Sequence, residues 1–154
     1  MGWNMASKPD ELLPSAKDFM KKIALAEAEE ASKQVRQHAE AEAEKQALLD
    51  RLRKPSGVSD EEAIQRAIKI IERAVSNGLT EVQVYRFPNQ LCTDRGRAIN
   101  QQEPGWEKTL TGVPKEIYDL WSRHFRERGY KLKVQIVDFP GGMPGDVGMI
   151  LSWA

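Results

Sequence analysis

The chain contains few of the residues that form covalent crosslinks and metal sites. Its 154 residues include one cysteine, Cys92, and two histidines, His38 and His124. A single cysteine excludes an internal disulfide and leaves the zinc sites that need several thiolates without ligands. A site of three histidines is excluded because the chain contains only two. We therefore expect neither a metal nor a cofactor.

Long apolar runs are also missing. Residues 1–14 contain no run of signal-peptide length, and no later stretch approaches the roughly 18 apolar residues that would span a bilayer. The first residues narrowly miss the myristoylation pattern, because Ala6 stands where that pattern needs Ser or Thr. These absences predict a cytoplasmic protein with no membrane partner and a reduced Cys92.

No charge of one sign is in excess. The chain has 23 basic and 23 acidic residues, and residues 1–54 and 55–154 are each neutral on their own. Proteins whose main partner is a nucleic-acid backbone are usually basic, because neutralising phosphates supplies most of that affinity. The balance therefore disfavours nucleic acid as a partner.

A long charged helix is the first feature that the sequence does contain. Residues 15–53 include no Gly or Pro and are dominated by strong helix formers, and Ser15 with Asp18 resembles a capping box. This pattern predicts a helix of about 58 Å, preceded by a flexible terminus at residues 1–14. A helix of that length is too long to be covered by a small domain.

The apolar residues of this helix are concentrated near its ends. Phe19, Ile23 and Ala26 form one face at the start, and Leu48, Leu49 and Leu52 form another at the end. The middle offers mainly small or charged residues to a coiled-coil seam, which favours large apolar ones. A solvated single helix and a helix that binds itself or a partner protein are both compatible with this pattern.

The pattern of the remaining residues predicts a linker at 54–58, followed by a compact domain at residues 59–154. Ser59 with Glu62 begins an amphipathic helix that ends at Asn77-Gly78, and Pro114 begins a second that ends at Gly129. Three alternating segments, 80–87, 131–139 and 146–153, predict strands. In the first of them, the alternation places Val82 and Val84 on one face and Gln83 and Tyr85 on the other.

The order of these elements, α-β-α-β-β, predicts an α+β domain of two layers. A strand, a crossover helix and a second strand most simply form a parallel pair, to which the last strand adds antiparallel through the hairpin at 140–145. We therefore expect a mixed three-stranded sheet with the helices on one face. The segments that follow the first two strands would then leave the sheet at a common edge.

Those two segments hold the candidate ligand-binding residues. Residues 88–111 form a connection long enough to suggest a function or a structure of its own, and residues 140–145 are rich in Gly. Arg95 and Arg97 together suit a carboxylate or a phosphate. Cys92 would act as a nucleophile only with a base such as His124 in reach, and burial in the core is the alternative for both. The predicted site consists of Asn89, Cys92, Asp94, Arg95, Arg97, Trp106, Gly141 and Gly142.

No complete catalytic constellation is visible in the sequence. The leading hypothesis is a non-enzymatic protein-interaction or oligomerisation module with a helical stalk, whose partner is another protein or a second copy of the chain. One alternative is a small-ligand or enzymatic site formed by residues 88–111 and 140–145. A second is nucleic-acid binding, since the order of elements resembles several small nucleic-acid-binding folds in outline.

Overall fold

The structure of the protein is a computed structural model that describes the backbone of residues 9–154 and the side chains of residues 11–154. The chain divides into two compact units, Met1–Lys45 and Gln46–Ala154. Part of the predicted flexible terminus, residues 1–8, lies outside the described residues. The helices are α1 (Pro9–Leu12), α2 (Ala16–Arg53), α3 (Asp60–Ser76), α4 (Arg97–Asn100) and α5 (Gly112–Leu120), and the strands are β1 (Glu81–Phe87), β2 (Lys131–Ile136) and β3 (Val147–Ser152).

α2 is one continuous helix, as its composition predicts. Its first turn is capped by Ser15, whose Oγ accepts a hydrogen bond from the Asp18 backbone N–H at 3.1 Å. Every side chain from residue 11 to residue 47 is exposed, so the part of α2 in the first unit has no core of its own. Its last two turns differ, because Leu49 is buried in the core of the second unit.

The second unit therefore begins within α2, at Gln46, before the residue 59 at which the sequence pattern places the domain start. Leu49 belongs to the buried cluster and Leu52 packs against it. The backbone of Leu52 and Arg53 also lies against Gly112 at the start of α5, where a Cβ would come within 2.9 Å of the Arg53 Cα. The end of α2 is thus an integral part of the second unit.

The α+β class is confirmed, and the sheet has the order β1-β3-β2. Both pairings are antiparallel, so the expectation of a mixed sheet with adjacent parallel strands is wrong. β1 and β2 do run in the same direction, but β3 inserts between them and supplies backbone hydrogen bonds to both. The β2–β3 hairpin is formed as expected.

One face of this sheet carries the core, and the helices of the unit cover that face. Its residues alternate along each strand with residues of the opposite face, which are polar on β1 and β2 but include Gly148 and Ile150 on β3. A bulge between Gln83 and Tyr85 shifts the register of β1, so Val84 and Tyr85 both pack against the core, and Tyr85 does not lie on the face opposite Val84 as the alternation predicts. The inner-face residues are Val82, Val84, Tyr85, Phe87, Leu132, Val134, Ile136, Val147, Met149 and Leu151.

The helix after the long connection is less regular than its sequence suggests. α5 begins at Gly112, two residues before the predicted start at Pro114, and after Leu120 the chain continues as a π turn at Trp121–Phe125 and a 3₁₀ turn at Arg126–Arg128. Gly129 ends it in the left-handed conformation, with φ of 93°, as expected. The wider π turn changes which side chains face the sheet beyond Leu120.

Candidate interaction site

The strand ends meet at one edge of the sheet, as the sequence predicts. Phe87 at the end of β1 and Ile136 at the end of β2 both pair with Val147 at the start of β3. The segments that follow β1 and β2 therefore leave the sheet side by side. The Asn89 amide joins them, because its Nδ2 donates a hydrogen bond to the Pro144 carbonyl at 2.8 Å.

An ion-pair cluster that the sequence analysis did not identify lies at the same edge. The Arg86 guanidinium binds Asp146 through Nε at 2.9 Å and Asp138 through Nη2 at 3.2 Å. The hydrogen bond to Asp146 and the charges of both carboxylates raise the pKa of Arg86. Asp138 also accepts the backbone N–H of Asp146, which closes the hairpin. One guanidinium thus compensates part of the charge of two carboxylates, and its bonds connect β1 to the two sides of the hairpin.

Asp94 has a structural role in the segment 88–111. Its carboxylate accepts hydrogen bonds from the backbone N–H groups of Gly96 at 3.0 Å and Ala98 at 2.9 Å, which caps the short helix α4. This bonding holds the chain through two successive left-handed residues, Arg95 with φ of 58° and Gly96 with φ of 84°. Asp94 therefore shapes the loop from within.

The two arginines beside Asp94 do not form the expected pair of anion-binding groups. Arg97 binds Glu103 through Nη1 at 2.8 Å, so its charge is compensated inside the segment. Arg95 is exposed, and within the described residues it makes no ion pair. Of the two candidates, Arg95 alone presents an uncompensated charge.

Cys92 lies in the core, with 3% of its surface exposed. Burial raises the pKa of its thiol to about 11, which keeps it protonated at neutral pH. His124 is not its partner, because the imidazole Nε2 lies 2.8 Å from Asp60 Oδ2. The arrangement of a nucleophile beside a base is therefore not formed by these two residues.

Trp106 and the two glycines of the hairpin complete the predicted set. Trp106 packs against the core and meets the Tyr118 ring edge-on, with 5.7 Å between the ring centroids. It also lines a cavity of 420 Å³ beside β2. Gly141 and Gly142 are exposed and have no neighbour within 4 Å of a Cβ position. The segments thus lie together, but five of the eight predicted site residues are engaged in packing, capping or bonds within the domain, namely Asn89, Cys92, Asp94, Arg97 and Trp106.

A larger apolar cleft lies elsewhere, between α3 and α5. Its volume is 440 Å³, and the sheet forms its floor through Val84, Tyr85, Leu132 and Leu151. Alanines and branched side chains form the α3 wall, and branched and aromatic side chains form the other. From α3 these are Ala63, Ala67 and Ile70, and from α5 and the π turn they are Val113, Ile117, Leu120, Trp121 and Phe125.

The cleft keeps its shape through contacts that surround it. The Trp121 indole N–H donates to the Tyr130 carbonyl at 3.0 Å, and the Tyr118 ring lies 5.6 Å from the Trp121 ring. Arg123 and His124 hold Asp60 at the start of α3 at 3.1 Å and 2.8 Å, respectively. These bonds lower the pKa of Asp60, with the hydrogen bond from His124 as the largest cause. The start of α3 is therefore tied to the π turn.

α3 itself is only partly covered. Its apolar stripe follows intervals of three and four residues, yet Ala74 is its one buried residue. Ile70 remains 37% exposed although it lines the cleft, and Ile68 is 43% exposed. An amphipathic helix normally buries such a stripe against its own core. The sequence predicts that this helix is amphipathic but does not predict the cleft, because the gap between α3 and α5 depends on tertiary placement.

A second apolar surface lies at the start of α2, in the first unit. Ala16, Phe19, Met20 and Ile23 follow intervals of three, one and three residues, which places them on one side of the helix. Phe19 is 47%, Met20 62% and Ile23 49% exposed. We call these four residues the α2 stripe. Lys17, Lys21 and Lys22 flank it.

The described residues contain no group of three or more His, Cys, Asp or Glu side chains that could hold a metal ion. None of the helices in the described part of the chain is long and apolar enough to cross a membrane.

A scan against protein-family models found no matching family. Searches of curated proteins and of solved structures found no match either.

Proposed function

We propose that this protein is a non-enzymatic interaction module that associates with itself through the α2 stripe. One observation carries the proposal: Phe19, Met20 and Ile23 are large apolar side chains on one side of a helix that is exposed along its whole length up to residue 47. Apolar groups that adjoin one another on a surface mark interaction sites more often than scattered ones do.

The stability of the helix supports the same conclusion. Helices gain most of their stability in proteins from packing an apolar face, and helix formation from local propensity alone is only marginal in water. The first unit offers α2 no packing surface among the described residues, because every described side chain there is exposed. A second protein surface would supply that packing.

The length of the stripe favours docking into a groove over a long coiled coil. Its residues occupy positions i, i+3, i+4 and i+7, the anchor pattern of helices that bind apolar grooves. Beyond Ile23 the same side of α2 continues with Ala26, Glu27 and Glu30, none of which is a large apolar residue. A coiled coil needs large apolar residues over several successive heptads, which this helix does not provide.

The test is the mass of the full-length chain in solution, measured by light scattering over a range of concentrations. The wild-type mass should exceed the 17.4 kDa of one chain. Phe19→Glu should reduce the mass to that of one chain, because a charged side chain would be buried in the contact.

Leu25→Glu is the matched control. Leu25 is 65% exposed on the same helix, but it lies off the stripe, two residues after Ile23. This variant should keep the wild-type mass. A wild-type chain that stays at 17.4 kDa at every concentration would refute self-association, and an equal effect of both substitutions would refute the role of the stripe.

A further inference from the structure

We infer that the α2 stripe of one copy occupies the α3–α5 cleft of a second copy. The inference rests on the proposed function, since it names the surface that receives the stripe. Both surfaces are apolar, and each belongs to a different unit of the chain. A mutual exchange would give each copy one filled cleft and one covered stripe.

The shapes of the two surfaces correspond. Two helices flank the cleft, a sheet closes its floor, and apolar side chains dominate its lining. A groove of this kind receives one face of an amphipathic helix through anchors at positions i, i+3, i+4 and i+7. The α2 stripe has those positions filled by Ala16, Phe19, Met20 and Ile23. Filling the cleft would also cover Ile70, which is partly exposed.

The charges around the two surfaces are complementary. Residues 16–23 carry three lysines and one aspartate, so this part of α2 is basic. The lining of the cleft includes five charged side chains, namely Asp60, Arg66, Glu116, Asp119 and Arg123. Arg66 binds Glu62 and Arg123 binds Asp60, so both cations are compensated by neighbouring acids. Glu116 accepts hydrogen bonds from Ser56, and Asp119 makes no ion pair within the described residues, so neither charge is neutralised by a cation. Opposite charges at the rim of an interface favour the correct partner and orientation.

The proposed self-association identifies a second copy as the occupant, because it places the α2 stripe of each copy against another copy of the same chain. Each copy carries one stripe and one cleft. A reciprocal exchange between two copies therefore closes with two-fold symmetry, which prevents further growth.

The first experiment compares two isoleucines of α3 in the full-length chain. Ile70 lines the cleft and Ile68 does not, while both are exposed enough to accept a charge without repacking the core. Ile70→Glu should lower the mass about twofold, to that of one chain. Ile68→Glu should keep the wild-type mass. A dimeric Ile70→Glu variant would overturn the inference, provided that Phe19→Glu is monomeric.

The second experiment locates the contact directly. A benzoylphenylalanine placed at position 19 keeps an aromatic ring there, and irradiation links it to the nearest chain. In a mixture of ¹⁵N-labelled and unlabelled protein, the crosslinked peptides should join position 19 of one copy to residues of α3 or α5 in the other. Adding Ile70→Glu to both copies should remove those crosslinks.

The outcomes separate this inference from the proposed function. Crosslinks from position 19 to α2 of the other copy would show self-association without use of the cleft. Crosslinks to α3 or α5 of the same copy would show that the occupant is the chain's own helix. Either result, or an absence of crosslinks at α3 and α5, overturns the inference. A wild-type chain that is monomeric at every concentration overturns the proposed function as well.

Discussion

The two ends of α2 have similar sequences but opposite surroundings. The start presents Phe19, Met20 and Ile23, all about half exposed or more, whereas near the end Leu49 is 4% exposed within the core of the second unit. Both groups are apolar clusters on a charged helix with strong helix propensity. The difference shows that local pattern determines the helix, while the packing partner determines what each apolar cluster does.

The sharpest way to test this difference is at the contact between the end of α2 and the start of α5. Gly112→Ala would place a Cβ against the backbone of Leu52 and Arg53, at a residue whose φ is +61°. Backbone atoms cannot move aside as a flexible side chain can. We expect a loss of about 4 kcal/mol in the free energy of unfolding, from left-handed strain and overpacking together. Urea unfolding followed by circular dichroism measures it.

Gly141→Ala is the control for this change. Gly141 has the same φ of +61°, but nothing lies within 4 Å of a Cβ there. Strain alone should cost about 1–2 kcal/mol. If the two variants lost the same stability, the contact between α2 and α5 would contribute nothing.

A second prediction compares one leucine from each part of α2. Leu49→Ala removes a buried side chain, and we expect a loss of about 3 kcal/mol from transfer and cavity effects. Leu25→Ala changes a side chain that is 65% exposed, so the change should stay within about 0.5 kcal/mol. Urea unfolding of the full-length variants measures both. A loss at Leu25 as large as that at Leu49 would mean that the start of α2 is also buried in solution.

This comparison also explains how much could be predicted from the sequence. α2, α3 and the three strands follow from periodicity and from local signals such as the Ser59 cap, whose Oγ accepts the Glu62 N–H at 3.2 Å. The common edge at which β1 and β2 end follows from the order of elements. The insertion of β3 between them does not, because a β-α-β-β order is compatible with either neighbour for the last strand.

The features that escaped prediction depend on tertiary placement. The bulge that turns Tyr85 inward and the π turn after Leu120 leave no periodic signal. The long connection at 88–111 could be identified as unusual, but its polar residues gave no indication that Asp94 would cap α4 or that Arg97 would bind Glu103. The cleft is defined by the distance between two helices, which no local pattern encodes.

A third prediction tests whether the connection at 88–111 stays closed. Burial raises the pKa of Cys92 from 9.0 to about 11, so near pH 7.5 the thiolate fraction is about 100-fold lower than in the unfolded chain. Alkylation by iodoacetamide, followed by mass spectrometry, should therefore be at least about 100-fold slower in the native protein than in urea. Because the native pKa is raised, the thiol ionises at lower pH in the unfolded chain than in the native protein. The free energy of unfolding should therefore fall as the pH rises from 9.0 to about 11.

A thiol on the exposed part of α2 supplies the matching control. Ser32→Cys in a Cys92→Ser chain places a thiol on a helix position that is exposed. It should react about as fast as an unfolded chain. Similar rates at positions 32 and 92 would show that the segment 88–111 opens readily, and the contrast between the two units would then be much smaller than their burial indicates.

The smallest expected effect concerns the bonds that Arg123 and His124 of the π turn make to Asp60 of α3. The hydrogen bond from His124 and the charge of Arg123 lower the pKa of Asp60 below its ordinary value of 3.8. A lowered native pKa stabilises the fold above the unfolded value, and this contribution is lost as the pH falls through the native pKa. Asp60→Asn should therefore reduce the dependence of the urea midpoint on pH below about 4.5.

Glu61→Gln separates the effect of these bonds from the general effect of an acid in the first turn of α3, where any negative charge is favourable. Glu61 is the next residue, and within the described part of the chain it makes no ion pair. Glu61→Gln should leave the dependence of the urea midpoint on pH below about 4.5 closer to that of the wild-type chain than Asp60→Asn does. Because the Asp60, Arg123 and His124 side chains are about half exposed, the difference should be small and should shrink with added salt. Equal slopes for the two variants would mean that the helix terminus, and not the bonds to Arg123 and His124, stabilises the ionised Asp60.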